Sequence, residues 1–97
     1  MEAEVWDRVL KAMKQKVRQG LVVLTIHAEE EMDNDNLSLD DVLNGIVTGK
    51  IQGKQEDTIT GGWKYRILGE SLAGDAIEVV GKIGATGKVV IITVYRI

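Results

Sequence analysis

Cysteine is absent from the 97 residues, which excludes a disulfide framework and any thiolate metal site. A secreted domain this small would often depend on such staples, so the cytoplasm is the expected location. Long apolar runs are also missing. Runs such as Leu21 to Ile26 and Val89 to Val94 fall far short of the roughly 20 residues a membrane-spanning helix needs. The N-terminus reads as an amphipathic helix rather than a basic patch followed by an apolar block, so neither a leader nor a membrane association is expected. Basic residues are absent from 21 to 49, which hold seven acidic ones. Histidine occurs once, at His27, and no other side chain here has an unperturbed pKa near neutrality.

What remains suffices for one domain spanning residues 1–97. With 44% hydrophobic content, a chain of this length can bury roughly two-thirds of the surface its unfolded form exposes. The net charge of −3 hides an asymmetry: residues 1–20 carry five basic and three acidic groups, and residues 50–97 carry seven and five. The middle is therefore −7 and each flank +2. Such a split can steer a partner through its field, and a surface wholly adapted to nucleic acid is not expected.

Helices come first. From Glu2 to Gln19, Trp6, Val9, Leu10, Met13 and Val17 recur at the spacings of one helical face, and Gly20 stops the helix. Arg8, Lys11, Lys14, Lys16 and Arg18 lie mainly off that stripe, and the run reads as a solvated face ahead of the alternative, a nucleic-acid contact. Leu21 to Ile26 is expected to be a short buried strand or an extended lead-in, followed by a polar helix from about Ala28 to Asp33 and a turn at 34–37. Ser38 and Asp41 form a capping-box pattern opening a helix through Val42, Leu43, Ile46 and Val47, with Gly49 ending it. Gly45, Gly49 and Gly53 mimic a membrane helix-dimer spacing, but Lys50, Gln52 and Lys54 exclude the apolar span that motif requires.

Beyond residue 50 the period changes to two, in runs near 50–57, 63–69, 76–83 and 88–96. Gly61-Gly62, Gly74-Asp75 and Gly84-Ala85-Thr86-Gly87 supply hairpin turns between them. The expected architecture is α+β, with helices packed on a four-stranded antiparallel meander. The last run, Val89 to Val94, is apolar on both faces and suits a central strand.

His27 lies where the apolar run meets an acidic stretch with five carboxylates between 29 and 35. It reads either as an acid or base, or as a capping residue at a helix junction with Glu30 reaching back to the backbone. Asp33-Asn34-Asp35 resembles the opening of a calcium loop. However, Leu37 and Ser38 occupy its fifth and sixth places and no closing glutamate follows, so no metal site is expected. Trp63 and Tyr65 alternate on a strand as base-stacking residues do, but one such pair is more often a core or cross-strand contact. No serine or cysteine nucleophile constellation occurs, and the glycine pairs sit in hairpins rather than in phosphate-cradling loops.

Thr25-x-His27-Ala28-x-x-x-Met32, then Leu37-Ser38-x-x-Asp41-Val42, Tyr65-Arg66-Ile67-x-Gly69 and Ile92-Thr93-Val94-Tyr95 occur in this order. The pattern resembles a family of small bacterial domains of unknown function, over roughly residues 21–96, with residues 1–20 as a variable N-terminal helix. The family is similar to the RelE, BrnT and MqsR class of toxin ribonucleases. The resemblance implies a RelE-like fold and metal-independent RNA cleavage without a cofactor, with an antitoxin as protein partner. It assigns His27 as acid or base, Arg66 as phosphate clamp and Tyr95 as a hydrogen-bonding or proton-donating group, with Lys64, Thr93 and Arg96 binding the substrate. Alternation places Lys64 and Arg66 on one face, and Thr93 and Tyr95 on one face of their own strand.

Two positions depart from the family pattern, because Glu31 and Asp35 stand where it has arginines. At about 6 Å and an effective dielectric near 20, one carboxylate repels one phosphate charge by roughly 3 kcal/mol before screening. The expectation is a weakened or degenerate ribonuclease, or one relying on the sheet cations alone. A non-catalytic module that docks a basic partner on its acidic helix through Glu31 and Asp35 is the alternative, and self-association through the terminal strand is a third reading.

Overall fold

The computed structural model describes residues 2–97. Helix α1 covers Glu2–Arg18, and its Leu10, Met13 and Val17 are buried, the stripe that the spacing predicts. Gly20 adopts φ 74, and its N–H donates to Val17 O at 3.0 Å. A side chain would resist this left-handed stop.

The chain then enters β1, Val22–Leu24, and passes directly into α2, Ile26–Asp35. Thr25, not His27, caps that helix: its hydroxyl accepts from Ala28 N and donates to Ile92 O. Ala28 and Met32 face the core, and Asn36 closes the helix in the left-handed region. Helix α3, Leu39–Val47, opens on the expected capping box between Ser38 and Asp41. The Asp41 carboxylate is held below its usual pKa by the backbone N–H groups of Ser38 and Leu72 and by the Ser38 hydroxyl.

Four longer strands follow: β2 Lys50–Glu56, β3 Trp63–Glu70, β4 Ala76–Ile83 and β5 Val89–Arg96. They form the predicted antiparallel meander, but the sheet is larger and mixed. Its order is β1-β5-β4-β3-β2, with β1 parallel to β5 through Val22 opposite Val89 and Leu24 opposite Ile91. The expectation of four antiparallel strands is corrected here. A three-residue strand carries almost no period-two signal, and its partner lies across the whole intervening domain, where no turn marks the pairing. The fifth strand makes the first part of β5, Val89–Ile91, interior to the sheet.

One face of the sheet packs on the helices. Ile67, Val79 and Val94 are in register across β3, β4 and β5 and join Met13, Ala28, Met32, Val42 and Ile46 in one core. Gly45 and Gly69 let α3 lie directly on the sheet: a Cβ on Gly69 would overlap the Gly45 carbonyl, and one on Gly45 would meet Ile77.

Candidate functional site

Strand alternation places the other residues of β3–β5 on the opposite face, on which no helix packs among the described residues. Arg66, Val80 and Thr93 are in register there, followed by Leu68, Glu78 and Tyr95. Lys64 and Arg66 therefore share this face with Thr93 and Tyr95. Ile92 is the extra residue of a bulge between the pairs Val80–Thr93 and Gly81–Ile91.

Three side chains from three strands converge on this face. Arg66 Nη1 lies 3.5 Å from Glu78 Oε1, and the Tyr95 hydroxyl donates to Glu78 Oε2. Glu78 is 7% exposed, so its charge is shielded from water and held between a cation and a phenol. Gly53 on β2 faces Arg66, and a Cβ there would overlap the guanidinium at Nη2, so β2 leaves open the space that Arg66 occupies.

Beside this cluster the β2–β3 loop folds over the same face. Asp57 Oδ1 accepts from the N–H groups of Ile59 and Thr60, and Asp57 Oδ2 accepts from the Thr60 hydroxyl and from Lys82 Nζ. Lys82 also donates to Gly61 O at 2.7 Å. The Thr60 hydroxyl, the Thr60 N–H and the Lys82 ammonium hold the Asp57 carboxyl well below its ordinary pKa. Gly61 and Gly62 take φ 82 and 75 to close the loop. Between the loop and the sheet is a cavity of about 450 Å³, with an apolar floor of Val90 and Ile92 and with Ile59, Thr25 and Lys64 around it. Ile59 is 93% exposed at its rim.

The outer edge of β5 beyond β1 is covered by α2. Glu31 Oε1 accepts from Val94 N at 3.3 Å, and Asp35 Oδ2 accepts from Arg96 N at 2.8 Å. Glu31 and Asp35 thus satisfy N–H groups that no neighbouring strand reaches, an alternation that matches the helix turn to the strand repeat. His27 Nε2 lies 3.0 Å from Glu31 Oε1, with its side chain 63% exposed.

The predicted site residues accordingly separate. Arg66 and Tyr95 come together on Glu78, and Lys64 and Thr93 share their face. His27 stays at the edge of β5 with Glu31 as its polar partner, and β4 lies between β5 and Arg66 on β3, a distance of about 10 Å across two strand spacings. Arg96 alternates away from Tyr95, donating from Nε to Asp35 O and from Nη1 to Asp75 Oδ2. Trp63 lies at the sheet margin with the Lys54 ammonium 4.4 Å from its ring centroid. Asp33-Asn34-Asp35 forms the end of α2 rather than a loop.

Glu78 and the Asp57–Thr60–Lys82 set escaped the reading of the sequence. A lone carboxylate inside the apolar run Ile77-Glu78-Val79-Val80 was the available signal for the first. An aspartate three residues before a threonine at a loop start was the signal for the second.

The molecule is an α+β domain with one helix-packed sheet face and one open face that gathers its polar groups. Residues 24–96 match the family described as a domain of unknown function, DUF4258, and the chain belongs to that family. No curated protein and no solved structure matches it. Among the described residues no helix is long and apolar enough to cross a membrane.

Proposed function

We propose that the open face is the active surface of a metal-independent endoribonuclease of the RelE-like toxin class, regulated by an antitoxin that covers this face. The convergence of Arg66, Glu78 and Tyr95 is the observation that carries the reading. It joins a shielded carboxylate, a cation and a phenolic proton on a surface that no helix covers among the described residues.

In this reading the Glu78 carboxylate takes the proton of a ribose 2′-hydroxyl and O2′ attacks the adjacent phosphorus. The Arg66 guanidinium neutralises the charge that develops on the phosphorane. The P–O5′ bond breaks as the Tyr95 phenol delivers its proton to the departing oxygen, leaving a 2′,3′-cyclic phosphate and a 5′-hydroxyl. The hydrogen bond from Tyr95 to Glu78 then offers a route for the proton to return. Lys64 and Thr93 hold the flanking chain. His27 supports α2 through Glu31 and stands outside the chemistry.

Incubation of purified protein with end-labelled RNA tests this. Cyclic-phosphate products are expected, reduced about 10²-fold or more in Glu78→Gln and Arg66→Ala. A folded wild-type protein that neither cleaves nor retains RNA would overturn the proposal. Such a result would favour the non-catalytic module, for which Glu29, Glu30 and Asp33 remain exposed on α2.

A further inference from the structure

A second polar feature lies on the helix side of the molecule, between α1 and the start of β2. This groove of about 620 Å³ is lined by Lys11, Lys14 and Arg18 of α1 and by Lys50 of β2, with Asp7 as its single carboxylate and Leu10 at its base. Positions 11, 14 and 18 recur at helical spacing, so the three cations form one ridge, and Lys50 faces them from the sheet. None of the four makes an ion pair with a described residue. On the sheet, Lys82, Arg66 and Arg96 are each paired with a carboxylate.

Four unpaired like charges around one concavity raise the local potential and favour an anionic occupant. The shape of the anion follows from what the groove lacks. Leu10 is 6% exposed, and no exposed aromatic or aliphatic anchor accompanies the cations, whereas protein partners generally need such anchors at the centre of an interface. A row of point charges without an apolar counterpart suits the regularly spaced phosphates of a nucleic-acid strand. The ridge from Lys11 to Arg18 spans about 10 Å along the helix axis, room for about three stacked nucleotides at roughly 3.4 Å each.

We infer that the α1–β2 groove binds the phosphate backbone of single-stranded RNA, without reading its sequence. The helix that supplies three of its cations precedes the residues matched to the family, and Lys50 lies within them. The groove is distinct from the open face and does not depend on the chemistry proposed there.

Fluorescence anisotropy of a labelled oligouridine over a salt series tests the inference. Each phosphate contact on a single strand contributes about −0.7 to the slope of log K against log salt. Between 50 and 200 mM salt, the triple variant Lys11→Gln, Lys14→Gln, Arg18→Gln should therefore lose about 20-fold less affinity than wild type. These changes are on an exposed helix face, and circular dichroism will verify that α1 is retained. An unchanged slope in the folded variant overturns the groove, as does equal binding of polyglutamate, which would mark a surface for an acidic protein. Cleavage is read from product formation and the groove from the salt slope of the triple variant, so failure of the cleavage reading and failure of the groove register in different measurements.

Discussion

Replacing Glu31 with alanine should destabilise the domain by removing the acceptor that covers the edge of β5. Its Oε1 receives the N–H of Val94 at 3.3 Å, and Val94 is fully buried. A hydrogen bond to a charged group contributes about 1.5–3 kcal/mol. The length of this bond and the 25% exposure of the Glu31 side chain admit some water, which lowers the expected cost to about 1–2 kcal/mol. The His27 pair adds little, because its imidazole is largely exposed and screened. For a domain of this size the loss corresponds to a fall in Tm of about 5–15 °C. Urea denaturation followed by tryptophan fluorescence would report the global change, and amide exchange at Val94 would report the local one. Glu31→Gln, which keeps an acceptor oxygen, should cost less than half as much. Glu31→Arg sets a donor against the Val94 N–H, and should cost at least as much as alanine. If Glu31→Ala unfolds at the wild-type urea concentration and the Val94 amide exchanges no faster, the edge-capping argument is wrong.

Gly53→Ala should displace the Arg66 guanidinium from Glu78, because the new methyl group occupies its place. The expectation is impaired RNA cleavage with stability changed by less than about 1 kcal/mol, since a flexible side-chain end yields easily. Gly69→Ala meets the Gly45 carbonyl, which cannot swing aside, and should cost about 3 kcal/mol or more or prevent folding, as read by soluble yield and Tm. Asp57 has a folded-state pKa below its ordinary 3.8, so its stabilisation is fully present above about pH 4 and diminishes as pH falls below that. Asp57→Asn should consequently lose less stability than wild type on acidification, and parallel acid-denaturation curves for the two proteins would refute the assignment.

Local patterns were sufficient wherever neighbouring residues carry the signal. The amphipathic face of α1, the Ser38–Asp41 box of α3 and the glycine turns between β2, β3, β4 and β5 all depend on residues a few positions apart. Alternation also places Lys64 with Arg66 and Thr93 with Tyr95. Their union on a single face depends on cross-strand register, and so does the position of Glu78 between Arg66 and Tyr95.

The sequence by itself determined the helices, the hairpin order of the four long strands and the segregation of charge, because each depends on backbone preferences and periodicity within a short window. Tertiary structure alone decided that Val22–Leu24 joins β5 in parallel and that Glu31 and Asp35 cap a strand edge. It also separated His27 from Arg66 and set Lys50 opposite the cations of α1. These outcomes depend on which distant segments pack together, and that is settled by burial across the whole core rather than by any local pattern.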